Sequence, residues 1–320
     1  MKYDKDLSYP KDRRGRAGEP GFPAIIPKAM QKPILHPTLS TFNAHPRDAR
    51  IIFEEVGHKY TITVDPDSSY TSVTTWNHSH FPKFDADGVI ASMMRGRNWN
   101  ENNKYWGKTA EQIKQQWADN ASSVSGAGTD MHYNIECFMN HPTMKPPYTH
   151  KQLLEDYYQT VPEPDRDQTP EWNYFLKYAE DLPDFRPYRT EWTIYDEELK
   201  LAGSIDMVYQ KPDGRLMIYD WKRCKDITKI NTFNKYATTQ CICQYPDSNF
   251  WHYSLQLNTY KAILQKKYGM QVDDLCLVRL HPDSEEYELL PIPDLSEDVA
   301  ELFALRKKDV ENGTHVIVKH

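Results

Sequence analysis

Three charged residues stand at spacings that can do chemistry: Asp206, then Asp220 and Lys222 beyond a short turn. The turn is Lys211-Pro212-Asp213-Gly214, with proline and glycine where a tight turn uses them. If LAGSIDMVYQ and RLMIYDWKR fold symmetrically about Asp213, Gln210 faces Leu216, and counting seven residues each way sets Asp206 opposite Asp220. Directly paired residues share a face of a sheet. Alternation then puts Lys222 on that face and turns Trp221 to the other. A bulge in either strand would shift this register by one. Adjacent carboxylates repel unless a shared proton or a cation sits between them. Magnesium or manganese suits oxygen ligands, and either polarises a phosphoryl oxygen and lowers the pKa of bound water. A neighbouring lysine can orient that water or offset transition-state charge. On a solvent-facing hairpin, the same Asp-x-Lys is only a pair of solvated neighbours.

The elements that must hold this hairpin can be read on either side of it. IIFEEV and KYTITV predict a first hairpin turning at Gly57-His58. Helical stretches are expected from Asp85 to Arg97 and from Thr109 to Trp117, followed by a loop, SSVSGAG, over residues 122 to 128. That loop opens a helix, MHYNIECFM, with Thr129 or Asp130 as N-cap. A helix from Pro170 to Glu180 precedes three strand-like runs, RTEWTIY and the two of the hairpin. A helix from Ser254 to Lys267, a strand LCLVRL and a C-terminal helix from Glu297 to Glu311 complete the order. Helices flanking a mixed central sheet make this an α/β domain. Residues 1–50 are rich in proline and basic residues and lack periodicity, so they read as an extended or mobile basic arm, or a strap over the domain. Residues 51–320 read as one domain.

Composition sets the outer bounds. The 320 residues are 39% apolar, enough for an ordinary core. No run approaches the roughly 18 apolar residues of a membrane span, and MKYDKDLSYPKDRRGR lacks the apolar core of a secretory signal. Its early acidic residues argue against a mitochondrial transit peptide. Five scattered cysteines do not suit a disulfide framework or paired zinc ligands, so a reducing intracellular compartment is expected. The net charge of −7 hides an uneven distribution. Ten Lys/Arg against five Asp/Glu make residues 1–50 net +5, leaving −12 on the rest. Bulk acidity therefore does not exclude a nucleic-acid partner.

A wider pattern surrounds the three charged residues. Gly203-Ser-Ile-Asp206, Asp220-Trp-Lys222 and Gln256-Leu-Asn-Thr-Tyr260 follow Gly128-Thr-Asp-Met-His132-Tyr-Asn-Ile-Glu136 and, further upstream, Ser-Val-Thr-Thr at 72–75. This ordered set, covering about residues 70–265, resembles the motifs of RecB-type PD-(D/E)xK nucleases. It is most similar to the mitochondrial genome maintenance exonuclease-like branch and related viral proteins. The resemblance implies a restriction-endonuclease-like core in which Asp206 and Asp220 bind Mg2+ or Mn2+, helped by the backbone carbonyl of Trp221, with Lys222 as catalytic lysine. It makes His132 a metal ligand, where the residue alone also reads as a cap or a buried, hydrogen-bonded histidine. Glu136 lies one turn on, along the same helical face. Gln256 and Tyr260, again i and i+4, would hold the DNA backbone and catalytic groups, unless Tyr260 is simply core. Glu191 matches a glutamate often found in the preceding strand.

No cysteine precedes Cys137, and the later ones lack compact spacing, so no iron–sulfur cluster is expected. The implied activity is a DNA exonuclease on single-stranded or flap DNA, leaving 5′-phosphate and 3′-hydroxyl ends. A structure-specific endonuclease and a non-cleaving DNA-binding protein are the alternatives. Trp76, Phe81, Trp99 and Trp106 either stack bases or belong to the core, and Arg95, Arg97 and Lys104 are candidates for phosphates. The segment from Ser72 to Arg97 either arches over the hairpin face or packs beside the sheet. A monomer in the cytoplasm or nucleus, or a viral protein in its host cell, is the expected setting.

Overall fold

The computed structural model describes residues 37–316. The chain enters on α1 (Thr38–Phe42) and a 3-10 turn at Asp48–Arg50. These residues close the segment read as an arm; residues 1–36 lie outside the described range. Leu39 N–H donates to Asn140 Oδ1 at 3.1 Å, Arg189 and Trp192 both donate to Asp48, and Arg47 pairs with Glu197. Residues 38–48 are thereby tied onto the domain.

β1 (Ile51–Glu54) and β2 (Lys59–Ile62) form the expected hairpin, with Gly57 and His58 left-handed in its turn. β3 (Thr71–Ser72) runs directly into α2 (Val73–His78), because the Ser72 side chain caps that helix by accepting from Thr75 N–H. Asp85 caps α3 (Ala86–Arg95), and a reciprocal Thr109–Gln112 box opens α4 (Ala110–Met139). α5 (His150–Thr160) starts on the same device at Thr149 and Gln152. α6 (Pro170–Asp181) starts on Thr169 with proline in its first position, where no N–H is needed. β4 (Pro187–Asp196), β5 (Leu201–Gln210) and β6 (Leu216–Lys222) follow as an antiparallel meander. α7 (Asn249–Tyr268) stops at left-handed Gly269, then come β7 (Val272–Arg279), β8 (Glu288–Pro291) and α8 (Ser296–Glu311).

β7 lies parallel to β6 and β8 antiparallel to β7, so the sheet is mixed. Both faces of β6 are covered, and alternation divides them. Leu216 and Ile218 join Leu255, Leu257 and Ile263 of α7 in one core, while Met217, Tyr219 and Trp221 join Phe138 of α4 and Phe175 and Tyr178 of α6 in the other. The result is a helix–sheet–helix sandwich, the α/β architecture expected from the order of elements. Trp76 and Phe81, two of the four aromatics weighed for base stacking, are buried in the first core.

One expectation fails. The loop placed over residues 122–128, with a new helix capped at Thr129 or Asp130, does not exist: α4 runs through it without a break. Two glycines weaken a helix by about 1 kcal/mol each, but the run contains no proline, so no backbone hydrogen bond is lost. The capped start at Thr109 and the buried end, Met131, Ile135, Phe138 and Met139, hold both sides of it. α5 and β8 were not anticipated at all. Residues 118–126 of α4 are exposed on every face, so the helix crosses open solvent. Beyond that stretch its start packs with α3 around Ile90, Tyr105 and Ile113, a small core separate from the sandwich, with Trp99 partly buried and Trp106 exposed.

Candidate active site

The sheet forks at β5. One edge of β5 carries β4, from Leu201 to Tyr209. The other carries β3 at Leu201 and Ala202 and β6 from Met207 to Gln210, leaving Gly203 to Asp206 without a strand partner on that side among the described residues. Gln210 faces Leu216 and Met207 faces Tyr219, the symmetric register expected, and there the ladder ends. Asp206 and Asp220 are therefore the first residues beyond the last pair. Trp221 N–H, freed from the ladder, donates instead to Asp206 Oδ2 at 3.1 Å. On the far edge the register brackets Glu191 against Asp206, between Thr190–Met207 and Trp192–Ile205.

Three side chains converge in this fork from three elements. His132 of α4 donates from Nε2 to the Trp221 carbonyl at 3.0 Å, and its Nδ1 lies 3.5 Å from Asp206 Oδ2 and 3.8 Å from Glu191 Oε1. One ligand atom each from His132, Glu191 and Asp206 falls within 4.8 Å of the others. Burial alone favours a neutral imidazole, but the Asp206 and Glu191 carboxylates outweigh it and hold His132 up at about 9. Burial, then the Asp220 charge, pushes the Asp206 carboxyl up to about 7 against the pull of His132 and Lys222. The cluster thus holds more negative charge than its own cations neutralise. Carboxylate oxygens, a backbone carbonyl and one imidazole suit a hard divalent cation such as magnesium or manganese, so the residues present fit such an ion.

Glu191 sits in β4 with φ +43°, a left-handed conformation that costs a non-glycine residue on the order of 1–3 kcal/mol. Ser204 Oγ donates to its Oε2 at 3.3 Å. Asp220 is buried, with Lys222 Nζ 2.5 Å from its Oδ2. The Lys222 ammonium also stands 4.4 Å over the Tyr253 ring of α7. Burial disfavours that charge, yet Asp220 and Asp206 raise its pKa above that of a free lysine, so Lys222 stays a cation.

α7 closes the fork from the opposite layer. Gln256 Nε2 donates to the Tyr260 hydroxyl at 3.2 Å and to Thr74 Oγ1 at 3.1 Å, tying α7 to α2. Tyr260 is buried in the core, and its ring fills the space beside Gly203: a Cβ there would stand 2.8 Å from Tyr260 Cε1. That contact couples Gly203 of the Gly-x-x-Asp run to Tyr260 of the Gln-x-x-x-Tyr run in this chain. Glu136 stays outside the three-ligand group; its backbone carbonyl accepts from Asn140, and its charge acts on Tyr133 and Cys137.

Sequence reading missed Tyr253 altogether, and it reached Thr74 only as part of the Ser-Val-Thr-Thr segment, with no partner or role attached. Tyr253 precedes Gln256 and Tyr260 by three and seven residues, one helical face, which is the signal that would have found it. The segment around Thr74 was visible, but its bond to Gln256 was not, because only the fold brings α2 to α7.

A family model of the PD-(D/E)XK nuclease superfamily matches residues 108–316. No curated protein matches the chain. Among solved structures it is similar to a protein from Eubacterium rectale provisionally described as an exonuclease, at 14% identity and a TM-score of 0.30, covering 77% of this chain and 82% of that one. The matched span is more than half of the chain and holds His132, Glu191, Asp206, Asp220, Lys222, Gln256 and Tyr260. The chain belongs to the PD-(D/E)XK nuclease superfamily.

Proposed function

We propose that the protein is a metal-dependent DNA exonuclease acting on single-stranded or flap DNA and leaving 5′-phosphate and 3′-hydroxyl ends. The observation that carries this reading is the fork itself, where two carboxylates, a charged lysine, a glutamate and a histidine face one another at the point where β5 and β6 part. Asp206, Glu191, His132 and the Trp221 carbonyl, with Asp220 beside them, are the groups that would hold the ion. Bound magnesium or manganese supplies Lewis-acid polarisation of the phosphate and a water of lowered pKa. Lys222, beside Asp220 and held charged by Asp220 and Asp206, would donate to a phosphoryl oxygen or to the attacking water. Water adds to phosphorus and the 3′-oxygen leaves. Gln256 and Tyr260 act as positioning residues through the Thr74 bridge.

The requirement for an end rests on where residues 79–127 leave and rejoin the body. His78, the last residue of α2, has its ring 4.9 Å from that of His252, the neighbour of Tyr253. On return, Gly128 of α4 approaches Arg223, the residue after Lys222, with a Cβ built there 4.0 Å from the Arg223 Cβ. Both roots of the helical projection thus flank Lys222, which supports passage of a strand beneath it rather than lateral entry. A duplex about 20 Å wide would enter poorly. The test is incubation with end-labelled linear single-stranded, flap and duplex DNA and with circular single-stranded DNA, with magnesium, manganese or chelator. Linear and flap substrates should be degraded only with metal, and the circle spared. Rapid nicking of the circle would replace the exonuclease by an endonuclease; no cleavage of any substrate with either metal would remove the nuclease reading.

A further inference from the structure

The 26 residues between Lys222 and α7 form a loop whose two ends both carry site residues. Its ends are anchored in the core: Ile227 packs against the α7-side core and Ala237 is part of it. Between those anchors Ile230, Phe233 and Tyr236 point to solvent, with Phe233 81% exposed. An aromatic ring left in water at a loop tip needs a reason, and mobility is not the one on view. The Asn231 side chain accepts from Phe233 N–H and Lys235 N–H and donates to the Asp247 carbonyl. Asn249 accepts from Thr228 N–H and donates to the Asp226 carbonyl, Trp251 Nε1 donates to the Lys229 carbonyl, and Asp247 N–H donates to the Lys235 carbonyl. Asn234 takes a left-handed turn beside Phe233. The backbone is therefore held in one shape while its apolar side chains remain uncovered.

The charges of this loop narrow the partner. Arg223, Lys225, Lys229 and Lys235 stand against a single acidic residue, Asp226, between 223 and 236, in a chain of net charge −7. Arg223 pairs with Glu171 and Lys225 lies 3.8 Å from Asp283, but among the described residues neither Lys229, whose ammonium stands 4.6 Å over the Phe250 ring, nor Lys235 makes an ion pair. Cations without a carboxylate partner, alternating with exposed rings, match a strand of phosphates and bases, since every base offers a π-face and every link a negative charge. A protein partner would be served by the apolar side chains but not by this charge pattern.

We propose that residues 228–236 form a stacking platform for single-stranded DNA beside the cleavage centre, with Phe233 and Tyr236 stacking on bases and Lys229 and Lys235 meeting the flanking phosphates. This assignment rests on the nuclease reading and adds to it the surface that holds the strand. Stacking carries no sequence code, so the platform grips any unpaired strand and rejects paired bases, whose faces are covered.

The full chain is titrated by fluorescence anisotropy, in chelator to prevent cleavage, against an oligothymidylate and an abasic oligonucleotide of equal length. Wild type should prefer the thymidylate by about ten-fold, the scale of one stacked base. Phe233→Tyr should keep that preference, Phe233→Leu should reduce it, and the double variant Phe233→Ala/Tyr236→Ala should lose it, all with unchanged melting temperature. Lys229→Gln/Lys235→Gln should weaken both oligonucleotides alike and reduce the salt slope by about 1.4. Wild-type preference in the double alanine variant, or in Phe233→Leu, overturns the platform, the latter result marking a general apolar surface for a protein. If wild type cleaves DNA with metal while these variants bind as it does, only the platform falls. If wild type neither binds nor cleaves DNA, the nuclease reading falls and takes the platform with it.

Discussion

Replacing Gly203 by alanine tests whether Gly203 of β5 and Tyr260 of α7 meet at the ring contact. The added Cβ would stand 2.8 Å from Tyr260 Cε1 and 3.0 Å from its hydroxyl. Tyr260 has little room to retreat, because it is buried and its hydroxyl is held by Gln256. Overpacking of this kind costs about 1–3 kcal/mol. Alanine recovers about 0.5–1 kcal/mol of the entropy that glycine loses in a strand. The net is a destabilisation of about 0–2.5 kcal/mol, a fall in Tm of up to roughly 10 °C for a domain of this size. The sign carries more information than the size. In a Tyr260→Leu background the ring is gone, so Gly203→Ala should become neutral or stabilising by about 0.5–1 kcal/mol, although Tyr260→Leu is itself destabilising. Urea unfolding of the four members of this cycle, followed by far-UV circular dichroism, measures the coupling. Equal destabilisation by Gly203→Ala in both backgrounds would show that the glycine answers to some other neighbour.

Asp220→Asn and Lys222→Ala should each abolish cleavage while leaving strand affinity within about two-fold, because affinity comes from phosphate and base contacts elsewhere; steady-state cleavage and binding in chelator check this. His132→Ala should raise the magnesium or manganese concentration for half-maximal activity by about 10-fold or more, since the ring bridges Trp221, Asp206 and Glu191; a metal titration reads it, and an unchanged midpoint would restrict His132 to packing. Deleting residues 1–36, net +4 with eight Lys/Arg, should reduce the salt slope of DNA binding without unfolding the domain, because the strap at 38–48 is spared. Burial pushes His150 down to about 3, below its unfolded value near 6.5, so its neutral form contributes stability above pH 6.5 that is lost as pH falls toward 3. Unfolding free energies from urea titrations should therefore fall, between pH 6.5 and 4, by up to about 1.4 kcal/mol per pH unit more steeply for wild type than for His150→Gln.

The hairpin at the centre was legible because its register depends on one short turn. Lys211-Pro212-Asp213-Gly214 carries its own punctuation, with Gly214 at φ +88°, and from there counting alone reaches Asp206 and Asp220. The join with His132 was not available to counting. It needs α4 laid against the sheet, and the sequence of that helix is misleading, since its Ser/Gly run reads as a loop while capping at Thr109 and packing after Met131 decide the outcome. Local propensity loses there to tertiary burial, the usual direction of such conflicts.

Glu191 shows where a local argument stopped one step short. It was matched by resemblance to a glutamate of the preceding strand, with no geometry to place it. Yet β4 and β5 are joined by only Glu197 to Lys200, and symmetric counting about that turn sets Asp196 against Leu201 and Glu191 against Asp206. The turn escaped notice because it lacks glycine and proline, and Lys200 adopts φ +51° instead. Its mark is Asp196, whose Oδ1 accepts from Glu198 N–H at 2.9 Å and Leu199 N–H at 3.1 Å, the local bond by which an aspartate folds the chain back on itself. The buried Asp196 carboxylate also lies 3.5 Å from Lys266 and Lys267 of α7, so the turn is pinned by the helix that carries Gln256 and Tyr260. The register that brings Glu191 to Asp206 is thus held from the same helix that closes the fork, at Asp196, five residues along β4 from Glu191.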